Sequence, residues 1–312
     1  MASPTVLPLR IPNPFFEGRN EVYVILGEPI TIIDTGVATQ IAYDRLVEKL
    51  GEHQISVNDI GRVVLTHKHI DHIGNAWRIQ QASGAEIMIH ETEVPSVVQS
   101  DGGGDKFREL VRDRMEQWRV APEAQQGDRA SNGQSWEIES AAAVAVTDGQ
   151  RIDVGGGELE VIHTPGHTYG SICLRLGDQL FTGDHVLKKT SPNVGGGDMR
   201  RKGLLKLFLS SLERMIALAP EIETVFPGHG DPFSELAPRC RRLAKHHRAR
   251  LDQLEAILRK NGEMSIYETA LKLFGKLDNY HVVLGCAEAQ SHLEYLADQG
   301  RVVQHDQMYR LA

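Results

Sequence analysis

The feature that most constrains this chain is residues 66–72, Thr-His-Lys-His-Ile-Asp-His, which carry four potential metal ligands. They follow Val63–Leu65, an apolar run that predicts a short buried strand. Four such groups crowded together would repel or desolvate one another unless a cation collected them, and imidazole with carboxylate suits zinc or iron. In an extended chain His67, His69 and Asp71 would point one way, with the last histidine on the other side. The segment therefore predicts a metal site in a loop at a strand end.

Three further candidate ligands follow other predicted strands: His167, Asp184 and His229. Each has a glycine beside it in the sequence, which lets the backbone and a metal approach closely. His163 and His185 lie near these ligands, and a supporting or substrate-binding role stays open for them. Six other histidines we interpret as surface or packing residues: His53, His90, His246, His247, His292 and His305.

In order and spacing, the segment 66–72 and the three later ligands resemble the motifs of the metallo-β-lactamase superfamily. The segment Ile33-Asp34-Thr35-Gly36 resembles the early Asp-Thr-Gly turn of that family. The resemblance covers roughly residues 15–235. It implies an α+β fold, a four-layer αββα sandwich with the site along one sheet edge.

The resemblance also implies two divalent metal ions, with zinc first and iron or manganese as alternatives. One metal would be held by three imidazoles: His67, His69 and His167. The other would be held by a carboxylate and two imidazoles: Asp71, His72 and His229. Asp184 would bridge the two metals. Asp34 would not be a ligand but would order the histidine loop from behind the ligands.

Two such metals, about 3.5–4 Å apart, would share a water and lower its pKa towards neutrality. The resulting hydroxide would attack an acyl carbon, and the charge that develops would lie over the cations. Asp71 is the candidate catalytic residue, which would orient this water and pass its proton to the leaving group.

The bond that is cut is less constrained than the metal site. The bridging Asp184 argues against a true β-lactamase, because that branch of the family generally lacks it. The branches that the chain then resembles are glyoxalase II-like thioesterases, lactonases and the branch with a C-terminal winged-helix domain. They imply a thioester, lactone or ester as substrate, with acyl-CoA, acyl-carrier or glutathione thioesters first. Two alternatives stay open: a mononuclear iron enzyme similar to persulfide dioxygenases, and a single-stranded RNA endonuclease or other nucleic-acid-binding protein.

We expect two domains, residues 1–236 and residues 237–312. In the first, two adjacent strands are predicted within residues 22–33, and a long amphipathic helix at Leu204–Leu218. A helical or loop insertion at about residues 91–150 would either cover the site or form a surface excursion.

Residues 237–312 predict three helices and a two-stranded ribbon, a winged-helix-like arrangement. Ser265 and Glu268 have the spacing of a capping box at the start of the second helix. The third predicted helix, His281–Gln299, carries Glu288 and two other acids but no Lys or Arg. Because affinity for phosphates comes chiefly from Lys and Arg, we expect this domain to pack over the catalytic mouth and shape an acyl pocket.

Six residues are candidate substrate contacts, from loops near the predicted ligands or from the C-terminal domain: Phe15, Phe16, Tyr169, His185, Tyr280 and His281. Lys188 and Lys189 follow the Asp184 loop and would either meet an anionic carboxylate or phosphopantetheine or be solvated.

Composition favours a soluble, cytoplasmic enzyme. The net charge of −8 gives no general reason to expect nucleic acid or an anionic membrane as partner. No apolar run reaches the length of a membrane span, and Met1–Phe16 does not have the layout of a signal peptide. Three cysteines are too few and too scattered for a disulfide framework. We expect a small-molecule acyl substrate, no nucleic-acid or membrane partner, and leave a homodimer open.

Overall fold

In a computed structural model of the chain, the structure describes residues 4–15, 18–98, 105–125, 138–196 and 198–312. The first of two large sheets has six strands: β1 (Thr5–Pro12), β2 (Arg19–Leu26), β3 (Ile30–Ile33), β4 (Ile60–Val64), β5 (Glu86–His90) and β6 (Ala143–Val146). They lie side by side in chain order. Pairing is antiparallel from β1 to β3 and parallel from β3 to β6.

The second large sheet has five strands: β7 (Arg151–Asp153), β8 (Glu158–His163), β9 (Ile172–Leu176), β10 (Gln179–Gly183) and β11 (Thr224–Pro227). Their order is the reverse of the chain, β11-β10-β9-β8-β7. Only the β10–β11 pair is parallel among these strands.

The helices of the described residues are α1 (Gln40–Gly51), α2 (Ile70–Ile73), α3 (Ala76–Ser83), α4 (Val94–Val98), α5 (Asp105–Gln117), α6 (Pro122–Gln125), α7 (Leu204–Leu218), α8 (Leu236–Asn261), α9 (Ile266–Phe274) and α10 (Tyr280–Asp298). A small antiparallel sheet near the C-terminus contains β12 (Met264–Ser265), β13 (Val302–His305) and β14 (Met308–Leu311), in the order β12-β14-β13. Among all the residues that the structure describes, no helix has both the length and the apolar character that a bilayer crossing requires.

The two large sheets stack face to face and are covered by helices on their outer faces. Side chains of both sheets, such as Ile33 and Leu174, form the core between them. A second core joins the first sheet to α1 and α3, and a third joins the second sheet to α7. This is the four-layer arrangement that the resemblance implies. The layers form because apolar side chains alternate along the strands and recur every three to four residues along the helices, so that each element buries one face.

The first strand is not predicted by the sequence pattern, because prolines interrupt it. β1 contains Pro8 and Pro12 and pairs with β2 along its whole length. It lies at the edge of the sheet, where a residue without an N–H group can be accommodated. The predicted strands within residues 22–33 and the helix Leu204–Leu218 are present as β2, β3 and α7.

The described part of the predicted insertion joins the core of the C-terminal helices. Trp118 is 1% exposed and packs in the same core as α10. Its indole Nε1 donates to Oε1 of Gln290 at 2.6 Å, and its carbonyl accepts from the backbone N–H of Tyr267 at 3.1 Å. Neither of the two roles predicted for this segment includes this contact.

The C-terminal helices form in the predicted order. Both hydrogen bonds of the capping box are present, since the Ser265 hydroxyl accepts from Glu268 N and the Glu268 carboxylate accepts from Ser265 N. Most of α10 is buried against its neighbours, so its side chains are used for packing. One core runs from α7 through α8, α9 and α10. The division at residues 236 and 237, and the winged-helix identity of residues 237–312, stay predictions.

Candidate metal centre

The candidate ligands lie just beyond the ends of four strands, as expected. His67 follows β4, His167 follows β8, Asp184 follows β10 and His229 follows β11. The backbone N–H of Ile172 donates to the carbonyl of Thr66, which ties the two large sheets together beside the site. Loops from both sheets therefore converge at one edge of the sandwich.

A first group brings together three imidazoles and one carboxylate. Nδ1 of His69 lies 3.0 Å from Nε2 of His67 and 2.9 Å from Nε2 of His167. Oδ2 of Asp184 lies 3.6 Å from the same His167 nitrogen. All four side chains have a ligand atom within 4.8 Å of the others. The three nitrogens face one another rather than the protein interior.

A second group contains Asp71, His72 and His229 and adjoins the first. Nε2 of His229 lies 3.4 Å from Oδ2 of Asp71 and 3.4 Å from Oδ2 of Asp184. Nε2 of His72 lies 3.5 Å from Oδ1 of Asp184. Asp184 is thus within reach of both groups, the position that a bridging carboxylate requires.

Beyond His69 the chain is helical rather than extended, which corrects one expectation. His69 is the N-cap residue of α2, which begins at Ile70. Each helical residue turns by about 100°, so Asp71 and His72 are neighbours on the side of the second group. Asp71 therefore does not share the direction of His67 and His69, as the two-residue period of an extended chain predicted.

Asp34 lies directly behind the ligands and joins three groups of the histidine loop. Its Oδ1 accepts from the backbone N–H of Thr66 at 2.8 Å, and its Oδ2 accepts from the Thr66 hydroxyl at 2.8 Å. Oδ2 also lies 2.8 Å from Nδ1 of His72. Asp34 is 2% exposed and has a φ of 60°, a strained value for a residue other than glycine. Its three contacts agree with the ordering role expected for it.

Two asparagines that the sequence analysis did not identify hold the carboxylate of Asp71. The side-chain amide of Asn13 donates to Oδ2 of Asp71 at 3.0 Å, and that of Asn20 donates to the same atom at 3.1 Å. Both asparagines are buried. They lie at the ends of β1 and β2, more than fifty residues from Asp71 in sequence, and nothing in their local pattern distinguishes them.

Several polar atoms of the two groups are buried without a hydrogen-bond partner in the described residues: His72 Nε2, His229 Nε2 and Asp184 Oδ1. Leaving such atoms unpaired is costly. With zinc–nitrogen bonds of about 2.0–2.1 Å, tetrahedral donor atoms lie about 3.4 Å apart, close to the separations found here. The residues therefore fit divalent metal ions.

The electrostatics divide the two groups. Burial, followed by the neighbouring imidazoles, holds the pKa of His67 and His69 well below 6.5, which keeps their rings neutral and able to coordinate. For His72 and His229, burial acts in the same direction, but the Asp184 and Asp71 carboxylates outweigh it and raise the pKa well above 6.5. Without a metal, therefore, protons on these two rings balance the carboxylates.

The glycines beside the ligands are required by close approach. A Cβ at Gly228 would lie 2.6 Å from Oδ1 of Asp184 and 2.8 Å from Cε1 of His72. A Cβ at Gly183 would lie 2.6 Å from the Thr66 hydroxyl. At Gly166 it would lie 2.4 Å from Cβ of Phe208. These positions therefore require glycine because neighbouring protein atoms lie too close for a Cβ atom.

The predicted substrate contacts differ in their environments. Tyr169 is half-buried, its N–H donates to the carboxylate of Asp198, and its ring lies 4.5 Å from the guanidinium of Arg201. Phe15 is half-buried on the loop that carries Asn13, whose Oδ1 accepts from Phe15 N at 2.8 Å.

The remaining predicted contacts differ in exposure, and one of them is not described. Tyr280 and His281 are exposed at the start of α10. Phe16 lies outside the described residues. His185 is only 1% exposed, and its ring packs against Phe208 at 5.1 Å between centroids. This burial leaves little of the His185 side chain accessible to a substrate, and its candidate role stays a prediction.

Comparison with known proteins agrees with this geometry. The family model of the metallo-beta-lactamase superfamily matches residues 17–229. A probable metallo-hydrolase of Bacillus subtilis is 26% identical over 304 residues, which span 95% of this chain and 93% of that protein. A probable polyketide biosynthesis zinc-dependent hydrolase of Bacillus velezensis is 27% identical over 186 residues, 60% of this chain and 62% of that protein.

Among solved structures, a metallo-beta-lactamase family protein from Thermus thermophilus superposes with a TM-score of 0.84 at 27% identity. The superposition covers 98% of each chain. The similarity therefore includes the C-terminal helices as well as the two large sheets. Together these relatives support a metal-dependent hydrolase.

Proposed function

The chain belongs to the metallo-β-lactamase superfamily, and from this premise we propose that it is a dinuclear metal-dependent hydrolase of a thioester, lactone or ester. One observation carries the proposal. Seven ionisable side chains converge into two adjacent groups, and Asp184 reaches both.

When bound, divalent metals would supply an activated water and polarise the substrate carbonyl. We infer that the first metal is held by three imidazoles: His67, His69 and His167. The second would be held by Asp71, His72 and His229. Asp184 lies within reach of both groups of side chains and would contact both metals. The similarity to the probable zinc-dependent hydrolase of Bacillus velezensis supports zinc as the first metal to test.

Asp71 is our candidate for the residue that moves the proton. The amides of Asn13 and Asn20 both donate to its Oδ2, which fixes the carboxylate in one orientation. Burial opposes its ionisation, but His72 and His229 lower its pKa below the usual range. The carboxylate is therefore ionised at neutral pH and able to accept a hydrogen bond from the attacking water, the contact through which it would orient the water and relay its proton to the leaving group.

A thioester of an anionic carrier is the first substrate class to test. Arg201 is exposed and stacks on Tyr169, two residues beyond His167. Lys189 is exposed on the loop after Asp184. Cations on two loops beside the ligands would attract a carboxylate or phosphate far from the acyl group. Coenzyme A, acyl-carrier phosphopantetheine and glutathione all carry such groups.

The experiment is a hydrolysis screen of acyl-CoA, acyl-glutathione, lactone, nitrocefin and RNA substrates. We expect turnover of a thioester or lactone, and a loss of at least about 100-fold in kcat/KM in Asp184→Asn, equivalent to about 2.7 kcal/mol. Asp44→Asn, on the exposed side of α1, is the matched control and should behave as wild type.

Two results of this screen would contradict the proposal: full activity in Asp184→Asn, and cleavage of RNA alone. In a separate assay, sulfite formation from a persulfide by a protein that holds a single iron would contradict it as well.

We further propose that the enzyme works in a reducing compartment such as the cytoplasm. Cys173, Cys240 and Cys286 are all buried and free in the structure. A chain of this size folded around its own hydrophobic cores does not need disulfides for stability.

A further inference from the structure

Residues 187–196, between β10 and α7, link a candidate ligand to the C-terminal helices. Nδ1 of His167 donates to the backbone carbonyl of Asn193 at 2.8 Å. The other ring nitrogen, Nε2, faces Nδ1 of His69 at 2.9 Å. The Asn193 carbonyl therefore sets both the ring orientation of His167 and the nitrogen that carries its proton.

The side chain of Asn193 is tied to α10. Its Nδ2 donates to Oε2 of Glu288 at 2.7 Å and to the carbonyl of Leu284 at 3.1 Å. Its Oδ1 accepts from the backbone N–H of Gly196 at 2.8 Å. The residue that orients His167 is thus held through both of its amide hydrogens and its oxygen.

Glu288 connects this asparagine to a second helix. It is 5% exposed, and its Oε1 forms an ion pair with Arg250 of α8. Its Oε2 accepts from Asn193 and lies 3.4 Å from the backbone nitrogen of Val194. A buried carboxylate costs free energy unless it is paired and hydrogen-bonded. In Glu288, Oε1 is paired with Arg250 and Oε2 contacts residues of the loop.

The loop lies unusually close to α10. A Cβ at Gly195 would lie 2.3 Å from the hydroxyl of Ser291 and 3.0 Å from the carbonyl of Ala287. At the start of the same loop, the guanidinium of Arg239 in α8 donates to the carbonyls of Leu187 and Thr190. Two C-terminal helices therefore fix the segment that orients His167.

We propose that Glu288 is a positioning residue for the metal centre, acting through Asn193 to hold His167 in its coordinating orientation and tautomer. The inference rests on the proposed metal-dependent function. It assigns to the C-terminal helices a part in building the centre, in addition to any part in binding substrate.

Glu288 also lies in a cluster with His247 and His292 that is compact enough to hold a metal. The polar atoms of the cluster, however, satisfy one another. Nδ1 of His247 lies 3.1 Å from Nε2 of His292, whose Nδ1 donates to the backbone carbonyl of Glu288 at 2.7 Å. Burial lowers the pKa of His247 to about 2 and that of His292 to about 3. Two neutral rings in a hydrogen-bonded chain, with Arg250 beside the carboxylate, support α10 without a cation.

The test compares wild type with Glu288→Gln, Asn193→Ala and the double variant. In Glu288→Gln the new amide cannot satisfy both Arg250 and Asn193. The zinc dissociation constant is measured by chelator competition, and the cobalt-substituted proteins are compared by visible absorption. Outer contacts of metal ligands typically change affinity by about 10–100-fold, so we expect at least a 10-fold loss and a shifted cobalt spectrum in each single variant.

Two features of the data identify a positioning role. The double variant should lose little more affinity than either single variant, because both changes break one chain of contacts. Glu255→Gln is the matched control. Glu255 lies near the C-terminal end of α8, where its carboxylate pairs with Arg301 instead of with residues 187–196. We expect it to lower the unfolding temperature without changing zinc affinity or the cobalt spectrum.

Wild-type affinity and spectrum in both folded single variants would overturn the inference alone. If Glu288→Gln does not fold, Asn193→Ala decides by the same measurements. A third zinc equivalent that is lost in Glu288→Gln would replace the positioning role with a metal site at the cluster. A wild-type chain that binds no zinc would overturn the proposed function and this inference together.

Discussion

Nδ1 of His72 and Oδ2 of Asp34 lie 2.8 Å apart, and both residues are buried. The contact is on the side of the imidazole ring away from the candidate metal centre. The contact orients the ring so that the other nitrogen, Nε2, points towards Asp184. Asp34 lies at the end of β3, and His72 lies in α2. One carboxylate therefore couples a strand of the first sheet to the helical turn that supplies two candidate ligands.

Asp34→Asn should weaken metal binding by about 10–100-fold, the usual effect of removing a contact behind a metal ligand. The new amide would direct a donor at the Thr66 hydroxyl or at Nδ1 of His72, where an acceptor is needed. Zinc affinity by chelator competition measures the effect, with exposed Asp44→Asn as control. Unchanged affinity would show that Asp34 does not order the centre.

Gly228→Ala should reduce bound metal from two equivalents to one or none. The added methyl group would lie 2.6 Å from Oδ1 of Asp184 and 2.8 Å from the His72 ring, so both side chains must move. Gly51→Ala is the control because a Cβ there meets no atom within 4 Å. Metal content and unfolding temperature are measured for both, and two retained equivalents in Gly228→Ala would contradict the site geometry.

Metal binding should release protons at pH 7. The pKa values of His72 and His229 are raised by Asp184 and Asp71 against the effect of burial, so both rings carry protons that a cation must displace. Affinity should therefore fall as pH falls. Calorimetry in buffers of different ionisation enthalpy counts the protons. Binding of both equivalents without proton release would rule out these two imidazoles as ligands.

Glu93→Gln should stabilise the metal-free protein at pH 8 but not at pH 4. Burial raises the pKa of Glu93 to about 7 from an ordinary value of 4.5. Its Oε2 has no hydrogen-bond partner among the described residues. A raised folded-state pKa contributes stability that is present below pH 4.5 and is lost as pH rises through 7. The loss is up to about 3 kcal/mol.

Denaturant unfolding at the two pH values, with exposed Glu91→Gln as control, isolates this contribution. A Glu93→Gln variant whose stability relative to wild type is the same at both pH values would show that Glu93 ionises as freely in the folded chain as in the unfolded one.

The sequence predicts those parts of the candidate site that depend on residue type at a strand end. The histidine-rich segment and the later ligands with adjacent glycines predict a metal site, because few functions other than metal binding use this combination of residues. The role expected of Asp34 follows from the resemblance of its turn to the Asp-Thr-Gly turn of the family. The helical turn at Ile70 was not expected, since four residues give too little periodicity to predict a helix.

The supporting residues were beyond sequence reasoning because their partners are distant along the chain. Asn13 and Asn20 reach Asp71 only through pairing of β1 with β2. Asn193 connects His167 to Glu288 only because α10 folds back against its loop. Asparagine is common in loops for local reasons, so tertiary contacts alone distinguish these three.

Metal content per folded chain tests the central claim most directly. The purified protein, reconstituted with zinc and freed of loosely bound ions, is measured by elemental analysis against protein concentration, together with its Asp184→Asn variant. We predict two equivalents in wild type and fewer in the variant, with activity lost in parallel. A wild-type chain that is active with one metal or none would contradict it.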